Sequence, residues 1–226
     1  MLPYVFSLLV AQPAAAQTWP PGELLTDAAA LHLTDELLSD QAAGVQAVAA
    51  AVRRCAAHGA QVVGLGAVAA VIGGQGKAVA RAVPEVAVTT GNATTALAAA
   101  ETAQLLLAAS ADPGGPLGLI GPPGPVANAV LDLLTGRGCS VQVVSAKPPR
   151  PLVRRAEQIN AAGYGTVSFV PDAEAVLEAG HPLVAASSTG GRLQRSALPG
   201  GVVIDVAAPQ DVVLDGSPRA DLTILD

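Results

Sequence analysis

Apolar residues recur with two different periods along this chain, and the alternation between the periods sketches a fold. From Asp40 to Gly59 they fall three and four residues apart, at Val45, Val48, Ala49, Val52 and Cys55, which marks one face of a helix. Ser39 or Asp40 is placed to cap its start and Gly59 to end it, while Arg53, Arg54 and His58 gather at the end where the helix dipole favours cations. Short apolar runs of strand character follow at 61–64, 85–90, 117–120, 141–144, 166–170, 183–186, 202–205 and 222–225. Helical spacing returns between them, over 96–109, from Pro125 to Leu134, and over 152–162 and 173–179. The 96–109 segment is nearly all Ala and Leu, so it is expected to lie buried between layers.

Strands that alternate with helices predict an α/β protein with a parallel sheet, here a Rossmann-type doubly wound sheet preceded by a smaller α/β domain. The Pro- and Gly-rich stretch Ala111–Pro116 marks the expected boundary, giving an N-terminal α/β substrate domain over 1–110 and a Rossmann NAD(P)-binding domain over 111–226. The apolar run Met1–Val10 reads as a first strand rather than a secretory signal, because no positive charge precedes it. Residues 23–33 are ambiguous between strand and turn.

Composition narrows the function classes. A chain of 226 residues with formal charge −6 and no basic run lacks the electrostatic footprint of a nucleic-acid binder. No segment reaches the ~18 uninterrupted apolar residues of a membrane span. The two cysteines, Cys55 and Cys139, have neither metal-site nor disulfide spacing and read as reduced thiols of a cytoplasmic protein; no metal site is expected. The expected partner is a small-molecule substrate, with neither nucleic acid nor membrane, and the short chain with its alanine-rich linking helix is compatible with a homodimer.

The candidate chemistry centres on Gly115–Leu134. A short strand runs into Gly121-Pro122-Pro123-Gly124-Pro125-Val126-Ala127 and then directly into a helix. Such a bend can aim backbone N–H groups and a positive helix end at a pyrophosphate, so Gly121, Gly124, Pro125, Val126 and Ala127 are expected to bind a nucleotide cofactor. The next strand ends in Ser145-Ala146-Lys147, with Arg150 close behind and no acidic residue. A hydroxyl and two cations in place of a ribose-binding carboxylate favour NADP (NADPH) over NAD, although Lys147 and Arg150 as plain loop charges remain open. Ser187, Ser188 and Thr189 follow a later strand and are candidates to line the nicotinamide side.

Four residues are candidates for catalysis. Thr90 and Asn92, in the Thr89–Thr95 cluster, either orient a substrate or, with Thr94 and Thr95, cap the next helix. Asp205, at the carboxyl end of a buried strand, is a site carboxylate or a loop cap. Lys77, after Gly73-Gly74-Gln75-Gly76, is a proton-handling group or a solvated lysine. The glycines at 64 and 66 offer a second phosphate cradle or a close-packing turn.

Taken in series, Gly64-Leu65-Gly66-Ala67, Thr89-Thr90-Gly91-Asn92 with Thr95, Gly121-x-x-Gly124, Ser145-Ala146-Lys147 and Ile204-Asp205 give the chain from about Ser39 onward a resemblance. It resembles the long-chain acyl-(acyl-carrier-protein) reductases and their shikimate-dehydrogenase-like relatives. The resemblance implies a substrate domain, a Rossmann domain using NADPH, and reduction of an acyl thioester through an enzyme-bound thioester on cysteine. This chain departs where that cysteine belongs, with Gly200-Gly201-Val202-Val203 ahead of Ile204-Asp205, and it carries Val206-Ala207-Ala208-Pro209 in place of the family's glycine-rich turn. Covalent capture therefore lacks its nucleophile. The expectation from sequence is an NADP-dependent oxidoreductase, a dehydrogenase passing hydride directly to or from a small carbonyl, imine or hydroxyl substrate in the interdomain cleft. A catalytically silent nucleotide-binding subunit and an acyl-thioester reductase-like activity are the alternatives.

Overall fold

The computed structural model describes residues 4–11, 26–33, 40–70 and 72–226. The chain divides into two compact units, Met1–Gly91 and Asn92–Asp226. The division falls ahead of the alanine-rich helix, not at the proline-glycine stretch after it.

In the first unit β1 (Tyr4–Ala11) pairs antiparallel with β2 (Thr26–Leu33) and with β3 (Val62–Gly64), and β3 pairs parallel with β4 (Ala87–Thr89), in the order β2-β1-β3-β4. Helix α1 (Gln41–Ala57) begins at Asp40, whose carboxylate accepts from the N–H groups of Ala42 and Ala43 at 2.9 and 3.1 Å. Val48, Ala49, Val52 and Cys55 are buried on the face that the spacing predicts, and Gly59 ends the helix with φ +97°. A turn at Ile72–Gln75, left-handed at Gly73, Gly74 and Gln75, leads to α2 (Lys77–Ala82), which Arg53 ties to α1 by donating to the Ala82 carbonyl at 2.6 Å.

The second unit is a six-stranded, all-parallel sheet in the order β12-β10-β8-β5-β6-β7: β5 (Leu117–Ile120), β6 (Ser140–Val144), β7 (Thr166–Val170), β8 (Leu183–Ala185), β10 (Gly201–Asp205) and β12 (Leu222–Leu225). Counting strands of this sheet in chain order gives 3-2-1-4-5-6, a Rossmann-like doubly wound arrangement, as the alternation of strands and helices leads one to expect. A separate ribbon pairs β9 (Leu193–Gln194) with β11 (Val212–Val213).

Three helices cover one face of the sheet: α3 (Asn92–Ala108), α4 (Pro125–Gly136) and α5 (Arg150–Ala162). Their inner residues Ala96, Ala100, Ala103, Val130, Leu134 and Leu152 meet Leu117, Leu119, Val141 and Val143 in one core. The other face carries α6 (Glu174–Glu178) and the long segments around β9 and β11, with Val176, Leu177, Leu193, Leu198 and Val212 on Ile120, Leu183 and Val203. Gly118 is the seat of α6, since a Cβ there would meet Val176 Cγ1 at 2.6 Å.

Helix α3 differs from expectation. It buries Ala96, Ala99, Ala100, Ala103 and Leu107, yet Leu105 is 72 % exposed and Leu97 40 %. Small alanines allow close approach to the sheet on one side, and no other layer of the second unit lies on the other. Among the described residues no helix is long and apolar enough to cross a membrane.

Candidate ligand-binding site

In a doubly wound sheet the strand order reverses at the switch point, here between β5 and β8, and ligands collect outside the carboxyl ends of the strands. At that end of β5, β6 and β7 lies a crevice of about 570 Å³, mid-range for small-molecule sites at about 300–1,000 Å³. Its floor is apolar, with Ile120, Val144, Ala173, Leu193 and Leu198. Its polar lining comes from Ser145 after β6, Asp172 and Glu174 after β7, and Arg192 and Gln194 from the segment after β8. Asp172 caps the start of α6, where its Oδ1 accepts from Ala175 N–H at 3.1 Å.

Two buried carboxylates fix the loops beside this crevice. Asp205, 3 % exposed, accepts from Ala207 and Asp211 N–H through Oδ1 at 3.1 and 3.2 Å and from Val212 N–H through Oδ2 at 2.8 Å. Asp211, fully buried, accepts from Ser187 N–H at 2.9 Å through Oδ2 and from the Ser187 hydroxyl through Oδ1. The segments after β8 and β10 are thereby laced together. Gly191 N–H then donates to the Gln210 carbonyl at 2.8 Å and Leu193 N–H to the Asp211 carbonyl at 2.9 Å, and Arg192 sits between those two anchors. Gly190, at φ +65°, has room for no side chain, since a Cβ would lie 2.7 Å from the Pro209 carbonyl oxygen.

Close packing sets the shape of the glycine bend. Gly121 has φ +119°, and a Cβ on it would meet the backbone of Ala186 at 2.5 Å, so glycine lets the loop after β8 cross directly over the end of β5. Pro122, Pro123 and Pro125 have no N–H, and that of Gly124 donates to the Gly121 carbonyl at 2.8 Å. Asn128 closes the turn by donating its side-chain amide to the Pro123 carbonyl at 3.0 Å. Ala127 is fully buried in the core below, while Val126 and Pro125 are half-buried. The N–H groups of Val126 and Ala127, in the first turn of α4, have no backbone acceptor.

Of the remaining residues singled out from sequence, Ser145 alone lines the crevice. Lys147 and Arg150 are exposed, Arg150 at the first position of α5, and Ser188 is exposed beyond the buried Ser187. Asp205 takes the loop-holding role, its carboxylate occupied by three backbone amides. Lys77 and Thr90 belong to the first unit, Lys77 exposed at the start of α2; Asn92 opens the second unit as the first residue of α3, so with Thr94 and Thr95 it occupies the first turn and not the cap. The residues that sequence reasoning missed are Asp172, Glu174, Arg192 and Gln194. The strand-end rule that pointed to Ser187–Thr189 points equally to the residues after β7, where Asp172 and Glu174 stand. Among the described residues no group of three or more metal-binding side chains occurs.

No family model matches the chain. Among curated proteins it is similar to Aminotransferase PigE of Serratia sp. (strain ATCC 39006), 30 % identical over 198 residues that make up 86 % of this chain and 23 % of that protein. The chain thus spans about a quarter of the length of this relative. Similarity to a protein named an aminotransferase points away from hydride transfer and overturns the expected NADP-dependent oxidoreductase, or dehydrogenase, and with it NADP (NADPH) as cofactor.

Proposed function

We propose that the chain is a ligand-binding α/β protein that serves amino-group transfer, holding a small molecule while the transfer takes place on a catalytic region outside this chain. The crevice over the carboxyl ends of β5–β7, with Asp172, Glu174 and Arg192 around an apolar floor, is the observation that carries the reading. Similarity to about a quarter of a protein named an aminotransferase supports the link to amino groups.

Amino-group transfer with pyridoxal phosphate needs a lysine amine to hold the cofactor, a partner for its pyridine nitrogen and a cradle for its phosphate. The residues here do not fit that group. The sequence holds only two lysines, Lys77 and Lys147; both are exposed, and neither lines the crevice. No transfer step is therefore assigned to this chain's own residues, which bind and orient. The kinship of scaffold with the acyl-(acyl-carrier-protein) reductases is proposed for the α/β frame alone. Gly121-x-x-Gly124 after β5 and Ile204-Asp205 at the end of β10 support it, and no activity is carried over with it.

The test is to incubate the chain with pyridoxal phosphate, a panel of amines and amino acids, and 2-oxo acid acceptors, following product by chromatography and ligand binding by thermal shift. The expected result is a raised Tm with members of the panel and no transfer of the amino group. Transfer by the isolated chain, or no Tm change with any amine, amino acid or oxo acid, overturns the proposal.

A further inference from the structure

Resting on the ligand-binding reading above, we infer that the crevice is a two-point site for an aliphatic amine that also bears a carboxylate, with the ammonium taken by Asp172 and Glu174 and the carboxylate by Arg192. Charges of both signs line this one crevice, yet among the described residues no ion pair joins Arg192 to either acid. Opposite charges that face a shared cavity without touching leave a gap that a ligand carrying both complementary charges fills, with a charge-assisted hydrogen bond at each end.

The donors and acceptors are free for that use. Arg192 donates only through Nε, to Thr189 Oγ1 at 3.3 Å, which leaves both terminal NH2 groups for a bidentate carboxylate. Asp172 accepts a backbone amide through Oδ1 and keeps Oδ2. The Glu174 carboxylate has no hydrogen-bond partner among the described residues. Two acids against one guanidinium favour a cation over an anion, so a simple carboxylate is the poorest fit. Between the charged ends, Ile120, Val144, Leu193 and Leu198 offer apolar surface to a methylene chain.

Asp211 is the positioning residue of this site. It touches no ligand, but it holds Ser187 by two hydrogen bonds and, through its carbonyl, the Leu193 amide next to Arg192. A guanidinium on a loop held in this way meets a carboxylate with little ordering left to do.

Isothermal titration of the full chain with 5-aminopentanoate, pentylamine and pentanoate tests the inference. The expected order is 5-aminopentanoate about tenfold or more tighter than pentylamine, with pentanoate weakest. Arg192→Ala, an exposed position that leaves folding intact, is expected to reduce 5-aminopentanoate to the affinity of pentylamine. Glu174→Gln weakens both amine-bearing probes. Asp211→Asn weakens 5-aminopentanoate more than pentylamine, whereas a merely structural loss weakens the two alike. Equal affinity for the three probes, or 5-aminopentanoate binding indifferent to Arg192→Ala, overturns the inference. If none of the three binds but another amine or oxo acid saturates the chain, the inference falls and the ligand-binding reading stands; with no saturable binding of any kind, both fall.

Discussion

Single residues around the loops after β8 and β10 carry more than their sequence context shows. Gly121 combines a positive φ with a backbone neighbour 2.5 Å from where a Cβ would stand. Gly121→Ala is therefore expected to cost about 2 kcal/mol or more, read from urea unfolding, through both strain and displacement of the Ala186 carbonyl. Asp205→Asn turns one acceptor oxygen into a donor facing backbone N–H groups in a buried place, and should cost about 2–3 kcal/mol in the same measurement. The position of Asp205 at a buried strand end is legible in the sequence. Its role is not, because the path of the next seven residues decides whether the carboxylate meets its own loop's amides or a ligand. Arg192 is hidden for the same reason, since its neighbours Gly191 and Leu193 are held by the carbonyls of Gln210 and Asp211 far along the chain.

Elements were more readable than residues, because hydrophobic period is a local property. The strands at Thr166–Val170 and Leu222–Leu225 coincide with the apolar runs, and α1 starts at the cap residue that the pattern suggests. The two-residue strands β9 and β11 have no period to read, and the segments around them are held by Asp205, Asp211 and Asp215 from elsewhere along the chain. Helix α3 shows the limit of composition: Ala and Leu on every side say nothing about which side is covered. Ala100→Leu, against the sheet, is expected to destabilise by about 1–3 kcal/mol, whereas Leu105→Gln on the outer side should stay within about 0.5 kcal/mol. Near the β9–β11 ribbon, the Ser196 hydroxyl and N–H both donate to Asp215 and hold its carboxyl below the ordinary value of 3.8. A depressed carboxylate stabilises above its unfolded value and loses that contribution as pH falls through its folded one. The difference in unfolding midpoint between the native chain and Asp215→Asn should accordingly be constant above about pH 5 and shrink below pH 4.

At the scale of the molecule, the α/β class and the parallel sheet followed from strands alternating with helices, whereas the division into units did not. Proline and glycine at 111–116 made the obvious break, but α3 belongs to the sheet it covers through the alanines at 96, 99, 100 and 103. Every residue lining the crevice comes from the second unit. A fragment of residues 92–226 is thus expected to fold, as judged by circular dichroism and dispersed NMR amide signals, and to bind the same ligands as the full chain; loss of binding in a folded fragment would contradict this. The strand order also sets a timetable for biogenesis. β5 is made first in its sheet yet ends in the middle, with β6 available at once on one side and β8 arriving only after β7 and α6 have been synthesised. Throughout that interval a growing chain presents the naked margin of Leu117–Ile120 to its surroundings, a place for chaperones to bind.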